Sequence, residues 1–314
     1  MDMKKILVAL DRSKQSMDAA RFITQILPAE KLEITLFMVF NKMPEVFWDQ
    51  IRNTNNGFDA DVLPIIGDAY EREKAAEEFM EQARQLILDS GVSSELVTVN
   101  IHDKKLGIAR DILAEAELGD YRAVVIGRTG RSKVKDFVFG SVTHKVVQQI
   151  GDVPVWIIGG TPKPGRILVA LDSSNAALRV IDYVGEVLAG SDFDITLFHA
   201  ARELGTYCDE TEIKIDTSHE EAWLRVVEKK MGVIFAEAVN RLVTAGIDRN
   251  QITIKIEPKV ASRAAAIINE AQKGNYGTIF AGRRGLSQEN KLMLGRVTYK
   301  LIHNAREMAL CIVD

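Results

Sequence analysis

Short apolar runs alternate with amphipathic segments along the whole chain. Residues 6–10 are uniformly apolar, as in a parallel strand buried on both faces, and residues 14–27 have apolar positions at helical spacing. In the first part of the chain, further strands are predicted at 33–40, 96–101, 123–126 and 153–158, and further helices at 70–90, 108–117 and 142–150. This alternation predicts an α/β fold with right-handed crossovers and a mostly parallel sheet that carries helices on both faces.

The whole pattern occurs twice. Residues 6–13 and 167–174 agree at seven of eight positions at an offset of 161, and the offset later becomes 155 because the second copy lacks six residues. We therefore predict two homologous domains, at 1–160 and 166–314, each a doubly wound five-stranded sheet of Rossmann-like type. Residues 161–165, with two prolines and a glycine, are expected to form a short, stiff linker.

Composition narrows the class of protein. Forty basic residues against forty-four acidic ones give a net charge of -4, so no general attraction for nucleic acid or anionic lipid is expected. No apolar stretch approaches the roughly 20 residues of a membrane span, and a secretory signal is not recognisable. The two cysteines provide neither a disulfide framework nor a zinc-binding spacing. We expect a cytoplasmic protein without a metal site.

The candidate chemistry lies in a glycine-rich segment of the first copy. Gly127 and Gly130 follow a buried strand, and Gly140 and Ser141 stand at the start of a helix after a gap of nine residues. Glycines let the backbone approach a ligand, and the first N–H groups of a helix attract phosphate oxygens. Asp11 follows strand one and lies on the same edge of the sheet, where such sheets bind ligands. Turn formation by the glycines and helix capping by Asp11 are the purely structural alternatives.

This arrangement resembles the universal stress protein family over residues 3–314. The family pattern is Gly-x2-Gly-x9-Gly-[Ser/Thr] with an Asp after strand one, and the first copy matches it in full. In ATP-binding members the resemblance implies an adenine-nucleotide site, with or without Mg²⁺. The residues that it implies are Asp11 and Val39 at the nucleoside, Ile126 and Gly127 at the ribose or base, and Gly130, Gly140, Ser141, Val142 and Thr143 at the phosphates. The hydroxyls of the last group would add two donors.

The second copy departs from the pattern at one position. Arg296 stands where the pattern has Ser or Thr, and this arginine can bind a phosphate, fill the pocket or pair with Asp172. Arg283 and Arg284 also favour an anion. A nucleotide, another phosphorylated ligand and an empty site all stay open. By the repeat, this second site consists of Asp172, Gly282, Gly285, Gly295, Arg296, Val297 and Thr298.

No catalytic motif accompanies the glycines. The Walker lysine motif and the kinase signatures are absent, which favours a stress-response sensor or binding module with little or no hydrolysis. One alternative is a slow Mg²⁺-dependent nucleotide hydrolase or transferase in which Asp11 orders the metal or water. Another is a scaffold whose sites are empty.

The resemblance also implies how the domains associate. Family members often pair through the final strand, so strands 153–158 and 308–313 are expected to make an intramolecular pseudo-twofold dimer, with a homodimer of the whole chain left open. The long apolar insertion 41–69 is expected to act as a lid or packing arm, with a mobile surface loop as the alternative.

Overall fold

The computed structural model describes residues 4–45, 48, 63–130, 139–207, 216–285 and 294–314. Each half contributes five strands, which begin and end close to the predicted positions. The strands are β1 (Lys4–Ala9), β2 (Leu32–Phe40), β3 (Val97–Asp103), β4 (Ala123–Gly127), β5 (Val155–Ile158), β6 (Arg166–Ala170), β7 (Asp194–Arg202), β8 (Ile252–Val260), β9 (Thr278–Gly282) and β10 (Ala309–Val313).

The α-helices of the described residues follow the repeat as well. They are α1 (Lys14–Ile26), α2 (Leu63–Asp89), α3 (Ile108–Leu118), α4 (Ser141–Gln149), α5 (Asn175–Leu188), α6 (Thr217–Thr244), α7 (Arg263–Lys273) and α8 (Arg296–Asn304). The prediction for α2 was wrong at its start, because residues 63–69 are helical rather than part of the insertion. Pro64 fits there, since a residue in the first turn needs no N–H donor. Residues 46, 47 and 49–62 of the insertion lie outside the described part.

All ten strands form one sheet in the order β3-β2-β1-β4-β5-β10-β9-β6-β7-β8. Neighbouring strands within each half are parallel. In the first half β2 and β3 lie on one side of β1 and β4 and β5 on the other, and β6 divides the second half in the same way. The predicted α/β class and doubly wound halves are confirmed. The two five-stranded sheets are joined edge to edge, so they are halves of one mixed, mostly parallel sheet.

The halves meet where β5 and β10 pair antiparallel, with Trp156 opposite Cys311. Trp156 is fully buried, its indole N–H donates to the Tyr183 hydroxyl at 2.9 Å, and its ring meets Phe280 edge-on at 5.1 Å. Burial raises the pKa of Tyr183 well above its usual value. Because Trp156 belongs to the first half and its two partners to the second, the halves share a core at this junction.

Helices cover both faces of the sheet. Residues of α1, α2, α5 and α6 pack into one apolar cluster, and residues of α3, α4, α7 and α8 pack into another on the opposite face. Within the described ranges, no helix combines the length and hydropathy that a membrane crossing requires. The sheet edge at the carboxyl ends of the strands is therefore left as the place for a ligand.

Candidate functional site

The glycine turn of the first half closes directly on Asp11. A Cβ atom on Gly130 would lie 2.3 Å from the Asp11 Oδ2 atom, a distance that real Cβ atoms do not tolerate. The other carboxylate oxygen, Oδ1, accepts a hydrogen bond from the Ser13 backbone N–H at 3.1 Å. Asp11 is not itself the helix cap, because Ser13 occupies that position and accepts from the Ser16 N–H. The turn and the carboxylate are thus in contact, as only glycine permits at position 130.

The start of α4 stands beside this turn. Gly140 is the cap residue and, having no side chain, makes no capping hydrogen bond. Its own N–H donates to the Arg128 carbonyl oxygen at 3.1 Å, which joins the helix start to the turn. Ser141 is exposed and Val142 is half-buried. The first N–H groups of α4 are therefore presented at the sheet edge without a side-chain cap, an arrangement suited to an anion.

The Thr143 hydroxyl does not have its predicted role. We expected it to donate to a phosphate, but Thr143 is buried and its hydroxyl donates to the Gly127 carbonyl oxygen at 2.9 Å. Its counterpart Thr298 donates in the same way to Gly282 at 2.7 Å. Burial leaves this hydroxyl only a backbone acceptor, so it holds the glycine turn in place. Of the two hydroxyls predicted to donate to phosphate, that of Ser141 remains a candidate.

Val39 and Ile126 flank Asp11 on neighbouring strands. Val39 is at the end of β2 and Ile126 at the end of β4, and β1 lies between these two strands. Val39 is half-buried, whereas the Ile126 side chain is buried in the core, so any contact from Ile126 to a ligand has to come from its backbone. The strand order brings the predicted residues of the first site to one edge.

Gln15 is a component of the first site that the sequence did not reveal. Its side-chain oxygen accepts from both the Thr129 backbone N–H, at 2.8 Å, and the Thr129 hydroxyl, at 2.7 Å. Thr129 lies inside the glycine turn, so α1 fixes the conformation of that turn. A glutamine in a helix carries no recognisable motif, and only the packing of α1 against β4 identifies it.

The second half repeats the same backbone frame. A Cβ atom on Gly285 would lie 2.5 Å from the Asp172 Oδ2 atom, and the Asp172 Oδ1 atom accepts from the Ser174 N–H at 2.9 Å. Gly295 starts α8 without a side-chain cap, and its N–H donates to the Arg283 carbonyl oxygen at 2.9 Å. The main-chain geometry of the two glycine turns therefore matches.

A cavity of about 450 Å³ opens at this second site. Its walls include apolar residues of β6, β7, α7 and β9. The residues predicted for the second site all line it: Asp172, Gly282, Gly285, Gly295, Arg296, Val297 and Thr298. Further basic residues that line it are Arg202, Arg263, Arg284 and Lys300.

His199 lines the cavity as a neutral side chain. Burial lowers the pKa of this histidine, and its Nδ1–H donates to the Leu171 carbonyl oxygen at 2.7 Å, with that bond opposing the shift. The corresponding residue of the first half is Met38, at the offset of 161. Among the described residues, no group of His, Cys, Asp or Glu side chains has the geometry of a metal site, and Cys208 lies outside the described part.

Arg283 does not point toward the second site, contrary to our prediction. This buried arginine donates to the carbonyl oxygens of Gln148 and Ile150, at the end of α4 in the other half. Arg128 makes the matching contact, donating to the His303 carbonyl oxygen near the end of α8 at 2.7 Å. Burial lowers the pKa of Arg128 to about 10. Each glycine turn thus holds the C-terminal end of the helix whose N-terminus forms the other site.

Comparison with known proteins agrees with this duplicated architecture. The model of the Universal stress protein family matches residues 3–159 and again residues 164–312. The universal stress protein YxiE of Bacillus subtilis is 26% identical over 167 residues, which cover 49% of this chain and 97% of that protein.

Solved structures extend the likeness to the full chain. A universal stress protein from Archaeoglobus fulgidus matches with a TM-score of 0.63 at 22% identity, covering 99% of this chain and 98% of that one. Another universal stress protein from Archaeoglobus fulgidus was solved in complex with dAMP; it covers 48% of this chain and 94% of its own, at 18% identity and a TM-score of 0.31.

Proposed function

The chain belongs to the universal stress protein family, and from this premise we propose that its first half binds an adenine nucleotide and acts as a sensor or binding module. ATP is the first candidate, by the match of residues 127–141 to the pattern of ATP-binding members. Binding, without appreciable hydrolysis, is the proposed activity. The two halves share one sheet, so a ligand bound at either site contacts a frame that is common to both halves.

The uncapped start of α4 beside the glycine turn carries this proposal. Gly140 provides no side-chain acceptor to the first turn of α4, and its N–H is already used by Arg128. The phosphate oxygens of a nucleotide are suitable acceptors for the N–H groups that remain. The exposed Ser141 hydroxyl adds a donor there, and Gly130 lets the backbone come close.

The nucleoside would lie beside Asp11. In this arrangement the base and ribose occupy the edge between Val39 and Ile126, where backbone groups at the ends of β2 and β4 are available to meet them. Asp11 sits between the nucleoside and the phosphates, held by the Ser13 N–H. A carboxylate in this place can accept from a ribose hydroxyl or, when Mg²⁺ accompanies the phosphates, help to hold the ion.

Mass spectrometry of small molecules carried through native purification tests the proposal. We expect an adenine nucleotide on the wild-type chain and its loss from Ser141→Ala. Ser94→Ala, which changes an exposed serine at the opposite end of the sheet, is the matched control and should retain the nucleotide. Recovery of an unrelated molecule, or equal occupancy of both variants, would overturn the assignment.

A phosphate-release assay separates binding from turnover. With ATP and Mg²⁺, the proposed binding module releases phosphate no faster in the wild type than in Asp11→Asn. A Mg²⁺-dependent rate that Asp11→Asn abolishes would instead identify the chain as a slow nucleotide hydrolase.

A further inference from the structure

We infer that the cavity of the second half takes a nucleotide-sized ligand with anionic groups at both ends, the class to which nucleoside bisphosphates belong. The inference extends the proposed function, because it takes the second half as a phosphate site built on the same frame. It concerns a different half and a different ligand, however, so the proposed function and this inference are tested separately. The argument rests on where the basic side chains lie around the cavity.

The body of the cavity suits a base or a similar flat group. Its volume of about 450 Å³ lies within the usual range for small-molecule sites. Leu171, Phe198 and Ile267 are buried apolar residues of its wall. Apolar walls favour a ligand with an aromatic or apolar centre over a simple sugar phosphate.

One end of the cavity has the features of a phosphate site. Arg296 begins α8, and Lys300 follows one turn later on the same helix. Arg284 lies in the glycine turn and donates to the Asp314 carboxylate at 2.5 Å, so part of its charge is balanced. The uncapped helix start and these basic side chains act on the same anion, since all of them lie on the β9 side.

The opposite end also carries positive charge. Arg202 ends β7 and Arg263 begins α7, and both line the cavity. Strand spacing places this end about 10–14 Å from the β9 side, because two or three strand intervals separate them. A single phosphate chain at the glycine turn would leave these two arginines beyond its reach.

Arg263 further changes what the end of β7 can recognise. Its Nε–H donates to the Ala200 carbonyl oxygen at 3.3 Å. Ala200 corresponds to Val39, whose backbone we place at the nucleoside in the first half. With this carbonyl engaged, the Arg263 side chain lines the cavity at this position, and a guanidinium recognises an oxyanion rather than a base amino group.

The first half differs at each of these positions. At the repeat offsets, Arg202, Arg263, Arg284 and Arg296 correspond to Asn41, Ile108, Thr129 and Ser141. In the other direction the first half has Arg12 where the second has Ser173, and the Arg12 guanidinium lies over the Phe40 ring at 5.5 Å. At these five aligned positions of the described residues, the second site has four arginines and the first site has one.

Acidic side chains are few among the residues that line the cavity. Among the described residues that line it, Asp172 is the one carboxylate, and it already accepts from Ser174. His199 is neutral, since burial lowers its pKa. The cavity is therefore lined by basic side chains at both ends and by apolar side chains between them, and the complementary ligand has the reverse pattern.

Two ligands of similar charge test this inference on the full chain. Adenosine 3′,5′-bisphosphate carries about four negative charges on two separate phosphates, whereas ATP carries a similar charge on one phosphate chain. Calorimetric titration in Ser141→Ala, which weakens the first site, reports mainly on the second. We expect the bisphosphate to bind at least tenfold more tightly than ATP or 5′-AMP, and equal affinities would overturn the inference.

The matched variant replaces two arginines of the second site with the aligned residues of the first half. Arg202→Asn combined with Arg263→Ile gives the second site the side chains of the first, and we expect it to weaken bisphosphate binding at least tenfold while changing 5′-AMP binding less than twofold. Circular dichroism checks that this variant is folded, and Arg202→Lys, which keeps the charge, should retain part of the affinity. Undiminished bisphosphate binding in the folded double variant would contradict the inference. Retained ATP binding at the first site, lost in Ser141→Ala, reports on the proposed function independently.

Discussion

In the first half of the molecule the positions around the glycine turn include Asn41, Ile108, Thr129 and Ser141, whereas in the second half the aligned residues are arginines that line a cavity. The backbones agree closely: both turns press a glycine against an aspartate, and both are held by a threonine hydroxyl. The comparison teaches that one frame can carry different side chains around it. Glycine, aspartate and threonine build the frame, and we propose that the residues at the strand ends select the ligand.

The halves also differ at Gly277 of the second half, where the linker backbone at Lys163 packs closely. A Cβ atom on Gly277 would lie 1.6 Å from the Lys163 carbonyl oxygen, while the first half has an exposed Arg122 at the aligned position. We expect Gly277→Ala to lower the free energy of unfolding by roughly 2–3 kcal/mol, because the linker backbone must move. Urea denaturation measures this change. Arg122→Ala is the control and should stay within about 0.5 kcal/mol of the wild type. A similar loss of stability in both variants would contradict the expected difference between the two halves.

Gly130→Ala tests whether the contact between Gly130 and Asp11 supports nucleotide binding, and it should leave the stability of the fold unchanged. The new methyl group meets the end of the flexible Asp11 side chain, so the carboxylate is displaced while the fold is kept. We expect nucleotide affinity at the first site to fall about tenfold or more, equivalent to about 1.4 kcal/mol, with little change in Tm. Calorimetric titration and thermal unfolding measure the two quantities.

Gly151→Ala is the matched control, because a Cβ atom there meets nothing within 4 Å. It should leave both affinity and Tm unchanged. If Gly130→Ala bound nucleotide as the control does, contact between Gly130 and Asp11 would not matter for the site.

Arg128 and Arg283 each contact the opposite half, so the contributions of these two contacts to stability can be compared. Arg283 donates to two carbonyl oxygens of the first half, and the contact from Arg128 to the second half reaches one. We expect Arg283→Met to lower the free energy of unfolding by about 1–3 kcal/mol, since buried carbonyls lose their donor, and Arg128→Met to lower it by less. Chemical denaturation measures both. Arg110→Met, at an exposed arginine, is the control, and a loss no larger than the control's would show that these contacts add no stability.

The smallest expected effect concerns His199, where the first half has Met38. Burial lowers the folded-state pKa of His199, so below pH 6.5 the unfolded chain takes up a proton that the folded chain does not. The wild type should therefore lose stability as the pH falls, by less than about 1.4 kcal/mol per pH unit. His199→Met removes this contribution, so its Tm relative to the wild type should rise between pH 7.5 and pH 5. A pH-independent difference would contradict the assignment.

The sequence by itself determined the duplicated α/β architecture, because buried parallel strands and amphipathic helices leave periodic patterns and because the repeat aligns Asp11 with Asp172 and Gly127 with Gly282. It placed those glycines and aspartates at one sheet edge, since they follow parallel strands and the carboxyl ends of parallel strands lie at the same edge of a sheet. Only the tertiary structure decided that Arg283 contacts the other half, that Thr143 holds a backbone carbonyl, and that Gln15 fixes the turn. Those roles depend on distances between segments far apart in the chain, which no local pattern of side chains encodes.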